Sequence, residues 1–370
     1  MNLTALGQRL SHRFAQQPAM TPIGVDFASE RLTLLQLQPT AGAARLQAVA
    51  SLAYPVAREI VFDDPTRLRA LVRTALAASP FVGRRIYATL PPDAVRILPL
   101  TVQVGGGQSE AQAVSKAVRE HLGTDVTQAV VDYCHVRSVE AEGAERQVLV
   151  AVARQDTVVT YLNRLRAAGL QPVALDIGPA AIARLLAALH REDFDQSVVL
   201  INFGIEKSFL TVVWGRRLLL DREIDFCESQ LVSKLAATLG LTLPIAQALL
   251  REHGVGGSER MAYAPGVTHS DIGQTLREIL HPEFALLAEE LTRTQVYVAS
   301  RTRGSLVSQL YLNGSVARYP NMQSRLRELV SLPVDLLEPL RAFDTVPAMT
   351  AAIDPDAPLA LAAGLALRGR

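Results

Sequence analysis

A ten-residue segment near the start of the chain recurs in its second half. Val25-Asp26-Phe27-Ala28-Ser29-Glu30-Arg31-Leu32-Thr33-Leu34 aligns with Ile201-Asn202-Phe203-Gly204-Ile205-Glu206-Lys207-Ser208-Phe209-Leu210, an offset of 202 − 26 = 176 residues. Solenoid repeats have periods of roughly 20–50 residues, so this is a different kind of duplication. Each copy reads as a strand, a tight turn of small residues beside an Asp or Asn, and a second strand. One such hairpin per half predicts two related domains facing each other across a cleft. The shared Phe, Glu and Arg or Lys at fixed offsets make the match more than an alignment of apolar positions. At 370 residues the chain also exceeds the usual size of a single core.

Hydrophobic residues make up 49% and charged residues 20%, with a formal net charge of +1. No global field therefore favours nucleic acid or an anionic membrane surface. No run approaches ~18 consecutive apolar residues, and the first residues lack a continuous apolar signal region. Cys134 and Cys227 are the only cysteines. Far apart and without a CxxC partner, they predict neither a disulfide framework nor a zinc site and suit a reducing cytoplasm.

The pattern divides the chain into segments. Residues 1–20 carry Leu3, Leu6, Leu10 and Phe14 at helical spacing, opposite Arg9, His12 and Arg13. They read as a terminal turn docked on the body, or as a short helix touching a membrane. Residues 21–82 with 154–196 are expected to form a first α/β domain, and 197–370 a second. The stretch 83–153 reads strand–strand–helix–strand–strand, an inserted four-stranded α+β subdomain. Asp64 followed by Pro65 marks a helix start, which explains the Asp63-Asp64 pair without catalysis. Further helices are expected from Pro282 to Ser300 and from Pro358 to Leu367. Gly254, Gly256 and Gly257 follow a helix instead of a strand, so they read as a linker and not as a dinucleotide turn.

Paired hairpins with a polar residue at each turn are a physical arrangement for holding phosphate. Backbone N–H groups cradle the oxygens, and an acidic residue positions Mg²⁺ or water. The candidates are Asp26, Phe27, Ala28 and Ser29 in the first hairpin and Asn202 and Gly204 in the second, with Asp26 the candidate metal ligand. A later strand ends in Asn313-Gly314-Ser315, a turn that lets a nucleoside approach the backbone. Glu290 and Arg293 stand at i and i+3 on one helix face, either as a surface ion pair or as a grip on a ribose and base edge. No HExxH motif and no Ser–His–Asp order stands out, and no catalytic residue is assigned.

From Ile23 to the C-terminus the chain resembles the FtsA branch of the actin-like ATPase superfamily, and within it the PilM family of type IV pilus assembly. Gly24–Ser29 matches the first phosphate hairpin of that family, Ser197–Trp214 the second, and Leu310–Ser315 the adenosine turn. Arg154-Gln155-Asp156, the run Leu165–Asp176 and the ending Ala363–Gly369 are similar to the family's wording. The resemblance implies a two-domain actin-like fold with RNase H-like halves. It implies a cytoplasmic scaffold at the inner-membrane face that binds the cytoplasmic tail of a PilN-like protein, with self-association open. It also implies ATP with Mg²⁺ as a conformational ligand bridging the domains.

The chain departs from the family pattern where the nucleotide would sit. Ala28 stands for the usual glycine of the first hairpin, Asn202 for the usual Asp of the second, and Asn313 and Ser315 for glycines of the adenosine turn. These changes remove a carboxylate from the phosphates and add side chains where a backbone should be bare, which argues against hydrolysis. The rival readings are an active actin-superfamily ATPase or sugar kinase, which needs that carboxylate, and a related scaffold of type II secretion or mannose-sensitive pili.

Overall fold

The computed structural model describes residues 20–40, 42–105, 107–123, 128–136, 145–191, 195–256, 269–302, 304–346, 353–354 and 357–369. The amphipathic N-terminal segment, Gly106 and Gly257 lie outside them. The described chain falls into two compact units. One comprises Met1–Thr89, Thr160–Asp176 and Pro339–Arg370, the other Leu90–Val159 and Ile177–Glu338.

Strands β1 (Ile23–Phe27), β2 (Arg31–Gln38) and β3 (Arg45–Ala53) open the chain, followed by helices α1 (Arg58–Asp63) and α2 (Pro65–Ala77) and strand β4 (Arg85–Thr89). Next come β5 (Arg96–Gln103), α3 (Glu110–Leu122), β6 (Ala129–His135) and β7 (Glu145–Arg154). Helix α4 (Gln155–Ala167), strand β8 (Gln171–Asp176) and helix α5 (Gly178–Leu189) lead into the second half. There, β9 (Ser197–Phe203), β10 (Ser208–Trp214) and β11 (Arg217–Ile224) precede α6 (Glu228–Leu239), α7 (Leu243–His253) and α8 (His269–Arg301). The chain closes with β12 (Val307–Gly314), α9 (Met322–Leu329), β13 (Val334–Leu336) and α10 (Ala360–Ala366).

The duplication read from the sequence is visible in the sheets. The first unit holds a sheet of order β3-β2-β1-β4-β8, the second a sheet of order β11-β10-β9-β12-β13. In each, the central strand pairs antiparallel with its hairpin partner on one side and parallel with a later strand on the other. β1 and β9 are buried almost throughout, as expected of strands covered on both faces. Ile23, Leu34, Leu46, Leu68 and Ile86 fill the core of the first unit. In the second, Phe203, Phe226 and Phe284 form an aromatic ladder with ring centroids 5.5 and 5.2 Å apart.

Local chemistry explains the helix starts. The Asp64 carboxylate accepts hydrogen bonds from the Thr66 and Arg67 N–H groups at 2.9 and 3.2 Å, with Pro65 opening α2. Asp63 pairs with Arg164 at 3.1 Å, so neither carboxylate is left for catalysis. Ser109 and Gln112 form a reciprocal capping box at the start of α3.

Five expectations need correction. β4 is not part of the insert: it lies between β1 and β8 in the first sheet, so the inserted sheet has three strands, β5-β7-β6. Its core is a separate valine cluster, Val102, Val114, Val118, Val148, Val150 and Val152. The segment after Asp176 packs differently too, since α5 lies against β10 and β11 in the second unit. The C-terminal 339–370 belongs to the first unit, not to the second half. Helix α8 runs through Pro282 instead of starting there, because Leu276, Leu280, Phe284, Leu287 and Leu291 keep one buried stripe on both sides of it. Gly254 and Gly256 are also more than a linker. Both have positive φ (68° and 83°), and a Cβ on Gly254 would lie 1.9 Å from the Pro320 carbonyl oxygen.

Among the described residues, no single helix is long and apolar enough to cross a membrane. Cys134 and Cys227 are both free thiols.

Helix α10 is built almost wholly of alanine, glycine and leucine, and it packs on β1. The contact is closest at Gly24, where an added Cβ would lie 2.1 Å from the Ala362 carbonyl oxygen and 2.7 Å from the Ala366 nitrogen. The glycine that opens the first hairpin motif is therefore a packing residue. Replacing it with alanine is expected to cost about 2 kcal/mol, or roughly 5 °C in Tm. Gly42→Ala, where the new Cβ meets nothing within 4 Å, should leave Tm unchanged, and equal effects of the two in a thermal melt would refute the close approach.

Candidate functional site

The first hairpin places Asp26 as the penultimate residue of β1, opposite Thr33 on β2. Phe27 is buried, Ala28 half-buried and Ser29 exposed in the turn that follows. Aromatic rings cluster beside the end of β1. Phe27 meets Phe62 edge-on at 5.0 Å, and Tyr161 stacks on Phe62 at 6.4 Å. Arg58 of α1 donates its Nε–H to the Phe27 carbonyl at 3.1 Å and lays its guanidinium over the Phe62 ring at 4.7 Å.

Burial pushes the Asp26 carboxyl up to about 7, against the opposing pull of the Arg58 charge. Burial likewise pushes the Tyr54 and Tyr161 hydroxyls up. Among the described residues, no cluster of three His, Cys, Asp or Glu side chains is arranged to hold a metal.

The second hairpin is tighter. A Cβ on Gly204 would lie 2.0 Å from the Lys207 carbonyl oxygen, so this turn requires glycine. The Gly204 N–H donates to the Ser208 hydroxyl at 3.2 Å. The carbonyls of Gly204 and Ile205 accept from the Glu228 and Ser229 N–H groups at 3.1 and 2.9 Å. The first N–H groups of α6, normally open to a ligand, are thus bonded to the hairpin.

Asn202 and Asn313 are register partners on the parallel strands β9 and β12. The Asn313 amide donates to the Asn202 side-chain oxygen at 2.7 Å. Gly314 follows at φ 95°, with the position of its missing Cβ only 1.9 Å from the Phe203 carbonyl oxygen. The Ser315 N–H donates to that same carbonyl at 2.9 Å. The structure therefore brings Asn202, Gly204, Asn313, Gly314 and Ser315 together at one edge of the second sheet.

Glu290 and Arg293 are not at that turn. Glu290 is paired with Arg222 on β11 and with Arg293 at 2.5 Å, and Arg222 also donates to Thr294 at 2.7 Å. β11 is the edge strand, three places from β12, or roughly 14 Å at the usual strand spacing. Attraction to the Arg222 charge holds the pair there.

The carboxylate that does reach the turn is Glu228, which the sequence reading missed. It is buried, and it accepts from the Tyr319 hydroxyl at 2.5 Å and from the Gln247 amide at 3.0 Å. Burial alone pushes this carboxyl up. Hydrogen bonds from Tyr319, Gln247 and Ser315, with the Arg251 charge, outweigh it and hold the group below its ordinary range. The signal available in the sequence was its place as the first residue of the helix that follows the third strand of the half.

A separate cavity of about 170 Å³ lies between the inserted sheet and β11, lined by Leu149, Leu218, Leu220, Asp221 and Tyr297 among others. It has room for one or two apolar side chains and is well below the usual size of a small-molecule site.

Residues 24–370 match the family described as type IV pilus assembly protein PilM. The chain belongs to that family. Its fold also matches a chain of a PilM-PilN type IV pilus biogenesis complex, with a TM-score of 0.69 and 23% identity, over 94% of this chain and 98% of that one. The ethanolamine utilization protein EutJ from Carboxydothermus hydrogenoformans aligns at TM-score 0.49 and 13% identity, over 99% of both chains. MreB5 of Spiroplasma citri aligns at TM-score 0.45 and 11% identity, over 92% of this chain and 93% of that chain. The fold of this PilM-family chain is actin-like, and its duplicated sheets are the halves of that fold.

Tested against a nucleotide, the family member's two hairpins differ. The first keeps a carboxyl, Asp26, though its turn carries Ala28. The second has an amide, Asn202, already bonded to Asn313, and the N–H groups of Gly204, Glu228, Ser229 and Ser315 beside it are engaged within the protein. The second hairpin does not fit a phosphate and its metal.

The Asp26 carboxyl gives a pH test. Its folded value of about 7 lies above the ordinary 3.8, so the folded state binds the proton more tightly, and stability falls as pH rises between those values. Asp26→Asn removes that loss. The variant should melt several degrees above wild type at about pH 8 and level with it at about pH 4. A variant less stable than wild type at the higher pH would contradict the assignment.

Proposed function

We propose that this chain is a non-catalytic scaffold of type IV pilus assembly. In this reading it works at the cytoplasmic face of the inner membrane and binds the cytoplasmic tail of a PilN-like membrane protein. The observation that carries the reading is the match of residues 24–370 to the PilM family, and the fold shared with a chain of a PilM-PilN complex supports it. An extended tail docking along a preformed groove or sheet edge is an ordinary mode of peptide recognition. It needs no chemistry, only backbone hydrogen bonds and pockets for alternate side chains.

Turnover of ATP is not part of this reading. Phosphoryl transfer needs carboxylates that hold metal at the phosphates and a positioned water or base. Asn202 supplies an amide at the second hairpin, and Asp26 is a single buried carboxyl.

The test is a fluorescence titration with a labelled peptide copying the N-terminal cytoplasmic tail of the host's PilN-like protein. Saturable binding that a scrambled peptide does not reproduce is expected. Equal signal from the scrambled peptide, or none from either, would overturn the partner assignment.

A further inference from the structure

The parallel strands β9 and β12 end side by side, and the start of α6 meets the same edge. A phosphate held at this place would need open space, free N–H donors and no competing negative charge. Much of this is already used within the protein. The strand ends are bridged by the Asn313–Asn202 amide bond of 2.7 Å. Several donors are engaged too: the Glu228 and Ser229 N–H groups by the hairpin carbonyls, and the Ser315 N–H by the Phe203 carbonyl. The Gly204 N–H is held by Ser208. The Glu228 carboxylate is fixed beside the turn by Tyr319 and Gln247. The cation of the hairpin, Lys207, is drawn down the β10–β11 ladder to Glu223 at 3.1 Å.

We propose that this half-site is self-occupied: the Asn202–Asn313 pair and the Glu228 cluster stand where a nucleotide would bind and join the strand ends in its place. The actin-like second half is then held in one arrangement by its own side chains, and the scaffold works without ATP. An amide pair suits this role better than a carboxylate would. Asn202 needs no metal to neutralise it, and the Asn313 amide meets its oxygen directly. The inference goes beyond the scaffold reading and stands whether or not the tail peptide binds.

Two measurements on the full chain decide it. In the first, Mg-ATP and Mg-ADP are titrated calorimetrically into the wild-type protein up to millimolar concentration. No saturable heat is expected, and no rise in Tm by mass action; a saturable one-site isotherm for either nucleotide would overturn the proposal. In the second, Asn202→Asp is compared with Asn202→Leu by thermal melting without nucleotide. The aspartate keeps an acceptor for the Asn313 amide and should stay close to wild type, whereas the isosteric leucine strands that amide and should lose several degrees. Equal Tm values for the two variants would show that the bridge holds nothing together.

Discussion

The structure rests on a central strand used twice, flanked by an antiparallel hairpin partner on one side and a parallel strand on the other. Burial on both faces makes β1 and β9 continuous apolar runs, and parallel pairing makes them end beside another strand end. The polar residue just before each hairpin turn then arrives at a sheet edge where chain segments converge. Asp26 and Asn202 are both penultimate residues of their strands. Their positions follow from the fold, and their chemistry is what separates the two halves.

That difference is one of charge in a buried place. Asp26 is buried, and burial lifts its carboxyl to about 7, a cost to stability near neutral pH. Asn202 carries no charge and finds its partner in Asn313. The two halves of a duplicated fold have thus kept the geometry and parted in chemistry.

Much of the fold was legible because it is written in local patterns. The hairpins show as apolar strands around small-residue turns, and Asp64-Pro65 marks a helix start by chemistry that acts within one turn. Parallel pairing leaves no such mark. β4 is followed closely by β5 across Pro91-Pro92, so the two read as neighbours, although β4 belongs with β1 and β8. Likewise α10 reads as a C-terminal helix of the second half until Gly24 is seen to make room for it. In the candidate site, the i,i+3 pair Glu290 and Arg293 was visible, but its position depended on Arg222, a residue far off in sequence on another strand. Glu228 was missed because its partners, Gln247 on one side and Ser315 with Tyr319 on the other, come from two segments distant in sequence, and only tertiary structure assembles them.

The central claim is a pilus scaffold whose actin-like fold is held by side chains and not by a nucleotide. It is tested most directly by isolating the native protein from its own cells with its membrane partner attached, denaturing it, and quantifying released nucleotide chromatographically. The account predicts the partner in stoichiometric amount and nucleotide only at trace level. ATP or ADP released at one equivalent per chain would contradict it.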